Sequence, residues 1–264
     1  MISPQRLDLQ IECNRCTPTR KSLDTWPPLP ISIYCYPWGS EGARGNHNIF
    51  AALQQCNCIS QIDFLDITCT EVEQFFAAMD ELFPVLTDLC VHKFKLDMEP
   101  PVTAELPDLF LGGSAPRLQS FVLEGIAFPA LLNLILSASH FQYLHLHTIP
   151  HAGYIPPEVM VTFLLPLHNL KGLTIRFSDF KSRPHQMNPS PLKHALLPSL
   201  TEFEFYGTSE YLLDFITQID TPMLNNFQVT HTWEFTPNIS QFHKFISHTD
   251  GLKPLIQAEL YFCS

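Results

Sequence analysis

Cys13-x-x-Cys16 has the spacing of half a zinc site, and Cys56-x-Cys58 is the nearest second pair. Structural zinc needs four ligands at tetrahedral corners. No second C-x-x-C follows, and Cys13 also falls on the inward row of an alternating segment, so packing is the stronger reading of these thiols. His145 and His147 are two residues apart, which on a strand puts both imidazoles on one face, close enough to share a metal. The repeat arithmetic developed below gives them Tyr143, Gly172 and Thr174 as neighbours, and these are poor third ligands. A metal-dependent or hydrolytic enzyme built around His145 and His147 is the second reading of the chain. The first is a non-enzymatic one without a cofactor. Glu202 and Glu204 repeat the same spacing, but a glycosidase pair needs an enclosing pocket that drives two carboxyl pKa values apart, so solvated acids are expected here. Gly-x-Ser-x-Gly, a phosphate-cradling Gly-rich loop and His-Glu-x-x-His are all absent from the sequence. Gly112-Gly113-Ser114 reads as a turn, and the sequon Asn238-Ile239-Ser240 matters only in the secretory pathway.

The elements that position these residues announce themselves by repetition. Reading L-x-x-L-x-L with apolar replacements gives eight copies: Ile59/Ile62/Phe64, Leu86/Leu89/Val91, Leu118/Phe121/Leu123, Phe141/Leu144/Leu146, Leu170/Leu173/Ile175, Leu200/Phe203/Phe205, Leu224/Phe227/Val229 and Leu255/Ala258/Leu260. Their starts are 27, 32, 23, 29, 30, 24 and 31 residues apart. That recurrence predicts an α/β leucine-rich-repeat solenoid, with a curved parallel sheet on its concave side and short helices on its convex side. Residues 46–264 form the irregular solenoid of about eight repeats, and residues 1–45 form its N-terminal capping strands and Pro-rich connector. In that connector Leu7, Leu9, Ile11 and Cys13 alternate with polar residues, Trp26 to Pro30 is stiff and extended, and Ile31, Ile33 and Cys35 alternate again.

The triplet leucines point into the core, so the residues between them face outward along the concave sheet. Arithmetic gives three columns. The first is Gln61, Asp88, Ser120, Tyr143, Gly172, Glu202, Asn226 and Gln257. The second is Asp63, Cys90, Val122, His145, Thr174, Glu204, Gln228 and Glu259. The third is Leu65, His92, Glu124, His147, Arg176, Tyr206, Thr230 and Tyr261. Tyr143, His145, His147, Arg176, Glu202, Glu204, Tyr206, Glu124 and Tyr261 are the candidate protein-binding residues, with Tyr143, Arg176, Tyr206 and Tyr261 of the types that most often carry interface energy. In the third column Glu124 is expected to favour protonated His147 and Arg176 to oppose it.

Between strands, Thr70 and Glu73 have the spacing of a capping box ahead of Phe75, Phe76 and Met79. Pro129, Pro157 and Pro237 suit the first helical position, and Ser209 can cap a helix carrying Leu212, Leu213, Phe215 and Ile216. The segment from Ser178 to Ala195, with three prolines among polar and basic residues, reads as a surface loop. A further apolar residue follows four of the triplets at Ile67, Phe94, Ile126 and Ile149, in place of the asparagine that satisfies turn backbone in many such repeats. Irregular turns and uneven curvature are the expected result.

The net charge of -11 is uneven: +1 over residues 1–45, -9 over 46–131, +3 over 132–197 and -6 over 198–264. No Lys/Arg run exists to neutralise a phosphate backbone, so a protein, basic or neutral, is the expected partner and nucleic acid is not. The longest apolar stretches fall far short of the roughly 20 residues a bilayer requires, so no membrane span is expected. Pro4, Gln5, Arg6 and Asp8 interrupt any leader-like apolar run, which places the chain in the cytoplasm or nucleus, with most of its eight cysteines reduced and buried.

Several stretches resemble the F-box and leucine-rich-repeat proteins of mushroom-forming fungi. They are Trp26-Pro27-Pro28-Leu29-Pro30-Ile31, Ser60-Gln61-Ile62-Asp63, the run from Phe110 to Ser120, Ile149 to Ile155, Leu197 to Thr201 with Ser209 to Leu212, and Ile219-Asp220-Thr221-Pro222. In that family a helical F-box docks on the adaptor of a cullin ubiquitin ligase, and the repeats present a substrate. Here the first strand opens the chain with no counterpart of the F-box ahead of it, so the resemblance implies the substrate-reading half only and leaves adaptor binding open. The implied partner is an unknown protein substrate on the concave face.

Overall fold

The computed structural model describes residues 10–16, 29–36, 45–93, 104–128, 131–178, 194–232, 239–252 and 261–263. The eighth triplet, the Tyr261 side chain, Phe94, Pro129, Pro237, Trp26 to Pro28 and the interior of the Ser178–Ala195 segment lie outside them. Twelve strands are described: β1 (Ile11–Cys13), β2 (Ile31–Cys35), β3 (Ile59–Ile67), β4 (Asp88–Lys93), β5 (Ser120–Glu124), β6 (Tyr143–Ile149), β7 (Gly172–Phe177), β8 (Ala195–Leu196), β9 (Glu202–Gly207), β10 (Ile219–Asp220), β11 (Asn226–Thr232) and β12 (Tyr261–Cys263). Ten of them form one sheet in the order β1-β2-β3-β4-β5-β6-β7-β9-β11-β12, so strand order follows chain order. Every pairing in it is parallel. β8 and β10 pair separately as a short parallel ribbon, placing one end of the presumed 178–195 loop in a strand.

Short helices flank this sheet: α1 (Asn46–Leu53), α2 (Cys69–Ala77), α3 (Leu131–Ser137), α4 (Pro157–Leu164), α5 (Ser209–Ile216) and α6 (Ile239–His248). The fold is thus α/β, a multi-stranded parallel sheet with short helices. The first six triplets are buried at every position, each residue at most 1% exposed. In the seventh, Leu224 is buried while Phe227 and Val229 are partly so, packed against the same core. Ile67, Ile126 and Ile149 are buried as their place after the triplet requires.

A regular turn delivers the chain to each strand. The amides of Leu86, Leu118, Leu170, Leu200 and Leu224 each donate to the carbonyl three residues earlier, and proline stands second in four of these turns, at Pro84, Pro116, Pro198 and Pro222. Proline fits there because its fixed φ matches that position and its missing amide is not needed. The next residue then donates to its equivalent in the preceding strand unit: Thr87 to Ser60, Gln119 to Thr87, Gln142 to Gln119, Lys171 to Gln142, Thr201 to Lys171 and Asn225 to Thr201, at 2.7–3.1 Å. Backbone groups at the strand entry are therefore satisfied without an asparagine side chain, while the expected irregularity appears after the triplets, where β3 and β6 each carry an extra residue before Ile67 and Ile149.

Two helix starts differ from the expected ones. The capping box of α2 uses Thr68 and Glu71, two residues before Thr70 and Glu73. Because Ile67 must be buried as the last strand residue, the chain turns at 68. At α5 the cap is Thr208, whose hydroxyl accepts from the Tyr211 amide, and Ser209 is the first helical residue. Pro157 does occupy the opening of α4. Cys13, Cys35 and Cys69 are buried, but Cys56, Cys58 and Cys90 are only partly so and Cys16 is exposed, so most of the described thiols are not core residues. All seven are free.

Candidate functional site

Strand alternation leaves a second sheet face, opposite the triplets, and the register decides what assembles on it. Gln61, Asp88, Ser120, Tyr143, Gly172, Glu202 and Asn226 are consecutive register partners across seven strands. So are Asp63, Cys90, Val122, His145, Thr174, Glu204 and Gln228. The first two columns are continuous, as the triplet arithmetic requires.

The third column is broken twice. One extra residue sits in β3 between Phe64 and Ile67, and one in β6 between Leu146 and Ile149. Asp66 and Thr148 occupy these bulges in the left-handed region, at φ 51° and 50°. Leu65 is consequently not registered with His92, nor His147 with Arg176. His92–Glu124–His147 and Arg176–Tyr206–Thr230 remain as two separate rows.

Glu124 pairs with His92, Nδ1 to Oε2 at 2.7 Å, and accepts from the Thr148 hydroxyl at 3.2 Å. Glu124 thus holds His92 by direct contact, and it also favours the protonated form of its register partner His147 while Arg176 opposes it, as expected. Arg176 is taken up by Glu204, through Nε at 3.1 Å and through Nη2. Glu204 is thus an ion-paired carboxylate, where a solvated one was expected.

Tyr143, His145 and His147 project from alternate positions of β6 with nearly parallel rings, centroids 6.2 and 6.0 Å apart. Tyr143, 37% exposed, leans over Gly172, where an added Cβ would meet the ring at 2.8 Å. His145 Nδ1 lies 2.8 Å from the Thr174 hydroxyl. Burial holds the His145 imidazole below its ordinary value, with Arg176 adding to the effect against Glu204 and Glu202. Burial also depresses His147, reinforced by Arg176 and His145 and opposed by Glu124. Both rings therefore stay neutral through pH 6.5 and charge only below it, so the stability they contribute is complete above 6.5 and is lost as pH falls through their folded values. In a proton NMR titration both are expected to titrate below 6.5, and a midpoint at or above that value would contradict the burial seen here.

The face extends further than the candidate residues indicated. Tyr34 and Tyr36 stack at 6.0 Å, and their hydroxyls donate to Gln61 at 3.2 Å and Asp63 at 3.3 Å. The alternation of Ile31, Ile33 and Cys35 already placed these tyrosines outward, and that signal would have found them. Burial and the neighbouring Asp63 push the Cys90 thiol up to about 12, so it stays protonated and unreactive.

Beside the imidazoles lies a depression of about 360 Å³, with Gly172 and Thr174 in its floor and Glu202, Glu204, Asn226 and Gln228 across from His145 and His147. Among the described residues no three His, Cys, Asp or Glu side chains are grouped to hold a metal ion. No described helix is long and apolar enough to cross a membrane. Comparison with family models, with characterised proteins and with solved structures yields no match to this chain.

Proposed function

We propose that this chain is an irregular leucine-rich-repeat solenoid whose outward sheet face, on the concave side, recognises another protein without catalysing a reaction. The observation that carries this reading is the pair of continuous columns: seven parallel strands in chain order present a register-locked display of side chains, all but Gly172 and Thr174 exposed or half-buried. Such a display offers a broad surface in place of an enclosed pocket, which suits a macromolecular partner. A link to ubiquitin-ligase substrate selection rests on the sequence resemblance alone and is part of the proposal.

Tyr143, Arg176 and Tyr206 are the three residues to remove. The first two are exposed and the third half-buried, on three successive strands of the face. Replacing all three by alanine is expected to cut partner capture in a pulldown by at least about tenfold, since hot-spot tyrosines and arginines are each worth about 2 kcal/mol. The melting temperature should change little, because none of the three belongs to the core. Undiminished capture by a folded triple variant would remove the proposal.

A further inference from the structure

We propose that the depression between His145 and Glu202 receives a cationic side chain, lysine or arginine, from the polypeptide that docks on this face. The inference rests on the recognition reading above and adds the chemistry of the partner.

Three observations converge on it. The outward columns of the ten-stranded sheet carry six carboxylates, Glu12, Asp63, Asp88, Glu124, Glu202 and Glu204, against the single guanidinium of Arg176 among described residues. A surface so biased draws cations toward it. Within that surface the charges are unequally matched. Glu204 already holds Arg176, and Glu124 holds His92. The exposed Glu202 carboxylate has no hydrogen-bond donor or Lys/Arg engaged with it among the described residues, and it lines the depression. Of the two carboxylates that line the depression, it is the one left for an incoming cation.

The shape of the site is the third observation. Gly172 and Thr174 are the two small residues on the row between the β6 imidazoles and the β9 carboxylates, and both line the open volume, with the Tyr143 ring seated against the Cβ side of Gly172. An aliphatic stem passing over that floor reaches Glu202 with its charged end, while Gln228, whose Nε2 donates to Asn226 Oδ1 at 3.4 Å, supplies a carbonyl acceptor on the same wall. The imidazole wall is uncharged at neutral pH because burial depresses both histidines, so it does not repel a cation.

The test uses the full chain, labelled with nitrogen-15, and three small probes: N-acetylargininamide, N-acetyllysinamide and the neutral isostere N-acetylcitrullinamide. Saturable shifts of the Gly172, Thr174 and Asn226 amides are expected with one or both cations at millimolar concentration, an affinity appropriate to a single exposed contact. Citrullinamide should bind at least about fivefold more weakly, and Glu202→Gln should weaken the cations by about the same factor while leaving the melting temperature unchanged. Arginine-only or lysine-only shifts support the proposal and identify the head group. No saturable shift with either cation, equal shifts with citrullinamide, or cation binding indifferent to Glu202→Gln would each overturn it. Glu202 is intact in the Tyr143/Arg176/Tyr206 triple variant, so failure of the cation probes with partner capture still dependent on those three sinks this inference alone.

Discussion

Replacing Phe203 by alanine lowers the free energy of unfolding by about 3–5 kcal/mol. Phe203 is 1% exposed and is the middle residue of the sixth triplet. Its ring lies 5.6 Å from Phe215 on α5 and 5.3 Å from Phe227 on β11. Removing it takes away contacts that join a strand, the helix covering it and the next strand, and rigid neighbours on all sides cannot close the cavity. A stacked parallel sheet has few contacts between distant units, so a defect at one rung separates what lies on either side. Urea unfolding followed by circular dichroism should show a lowered midpoint. A change under about 1 kcal/mol would mean that Phe203 is not at the centre of the core.

Glu71→Ala is expected to cost about 3 kcal/mol, because one carboxylate serves three elements. Its Oε1 accepts from Arg15 Nη2 at 2.6 Å, after β1, and from Asn46 Nδ2 at 3.2 Å, at the start of α1. Its Oε2 accepts from the Thr68 amide at 3.0 Å, closing the box that starts α2. Alanine leaves the Arg15 guanidinium, 15% exposed, without its counter-ion. Replacing Arg15 and Glu71 together by methionine should recover part of the loss, since the orphaned charge is then gone as well. The pH dependence has a definite sign. Burial raises the Glu71 carboxyl, but hydrogen bonds from Thr68 and Asn46 and the charge of Arg15 outweigh it and hold the group below 4.5. The carboxylate's contribution is therefore full above 4.5 and lost as pH falls through the lower folded value. A stability difference between wild type and Glu71→Ala that did not shrink below pH 4.5 would contradict this.

The rungs were legible in the sequence because two periodicities coincide on them. Apolar residues three and five places after a turn fix both the inward row and the phase of the outward one, and a parallel register then follows from aligning like with like. Tyr143, His145, Glu202 and Glu204 accordingly stand where arithmetic put them. The third column failed because each bulge inserts a residue after the triplet has ended, and the residues in left-handed backbone are Asp66 and Thr148, where glycine or asparagine would have given warning. The inserted residue in β6 takes His147 out of register with Arg176, which pairs with Glu204 on the next strand, while His92 and Glu124 meet as register partners of β4 and β5. The capping box was ambiguous for another reason. Thr68 to Glu71 and Thr70 to Glu73 share one spacing, and what separates them is tertiary: only Glu71 reaches Arg15 and Asn46.

The most direct test of the account follows the row from Val122 through His145 and Thr174 to Glu204 to Gln228 in a deuterated sample, by nuclear Overhauser contacts between backbone protons of neighbouring strands. The account predicts an unbroken chain of parallel-type contacts linking those five residues in that order. Antiparallel contacts, or a shift of one residue that turned Leu146, Ile175 and Phe205 outward, would contradict it, and with it the face on which the proposed recognition depends.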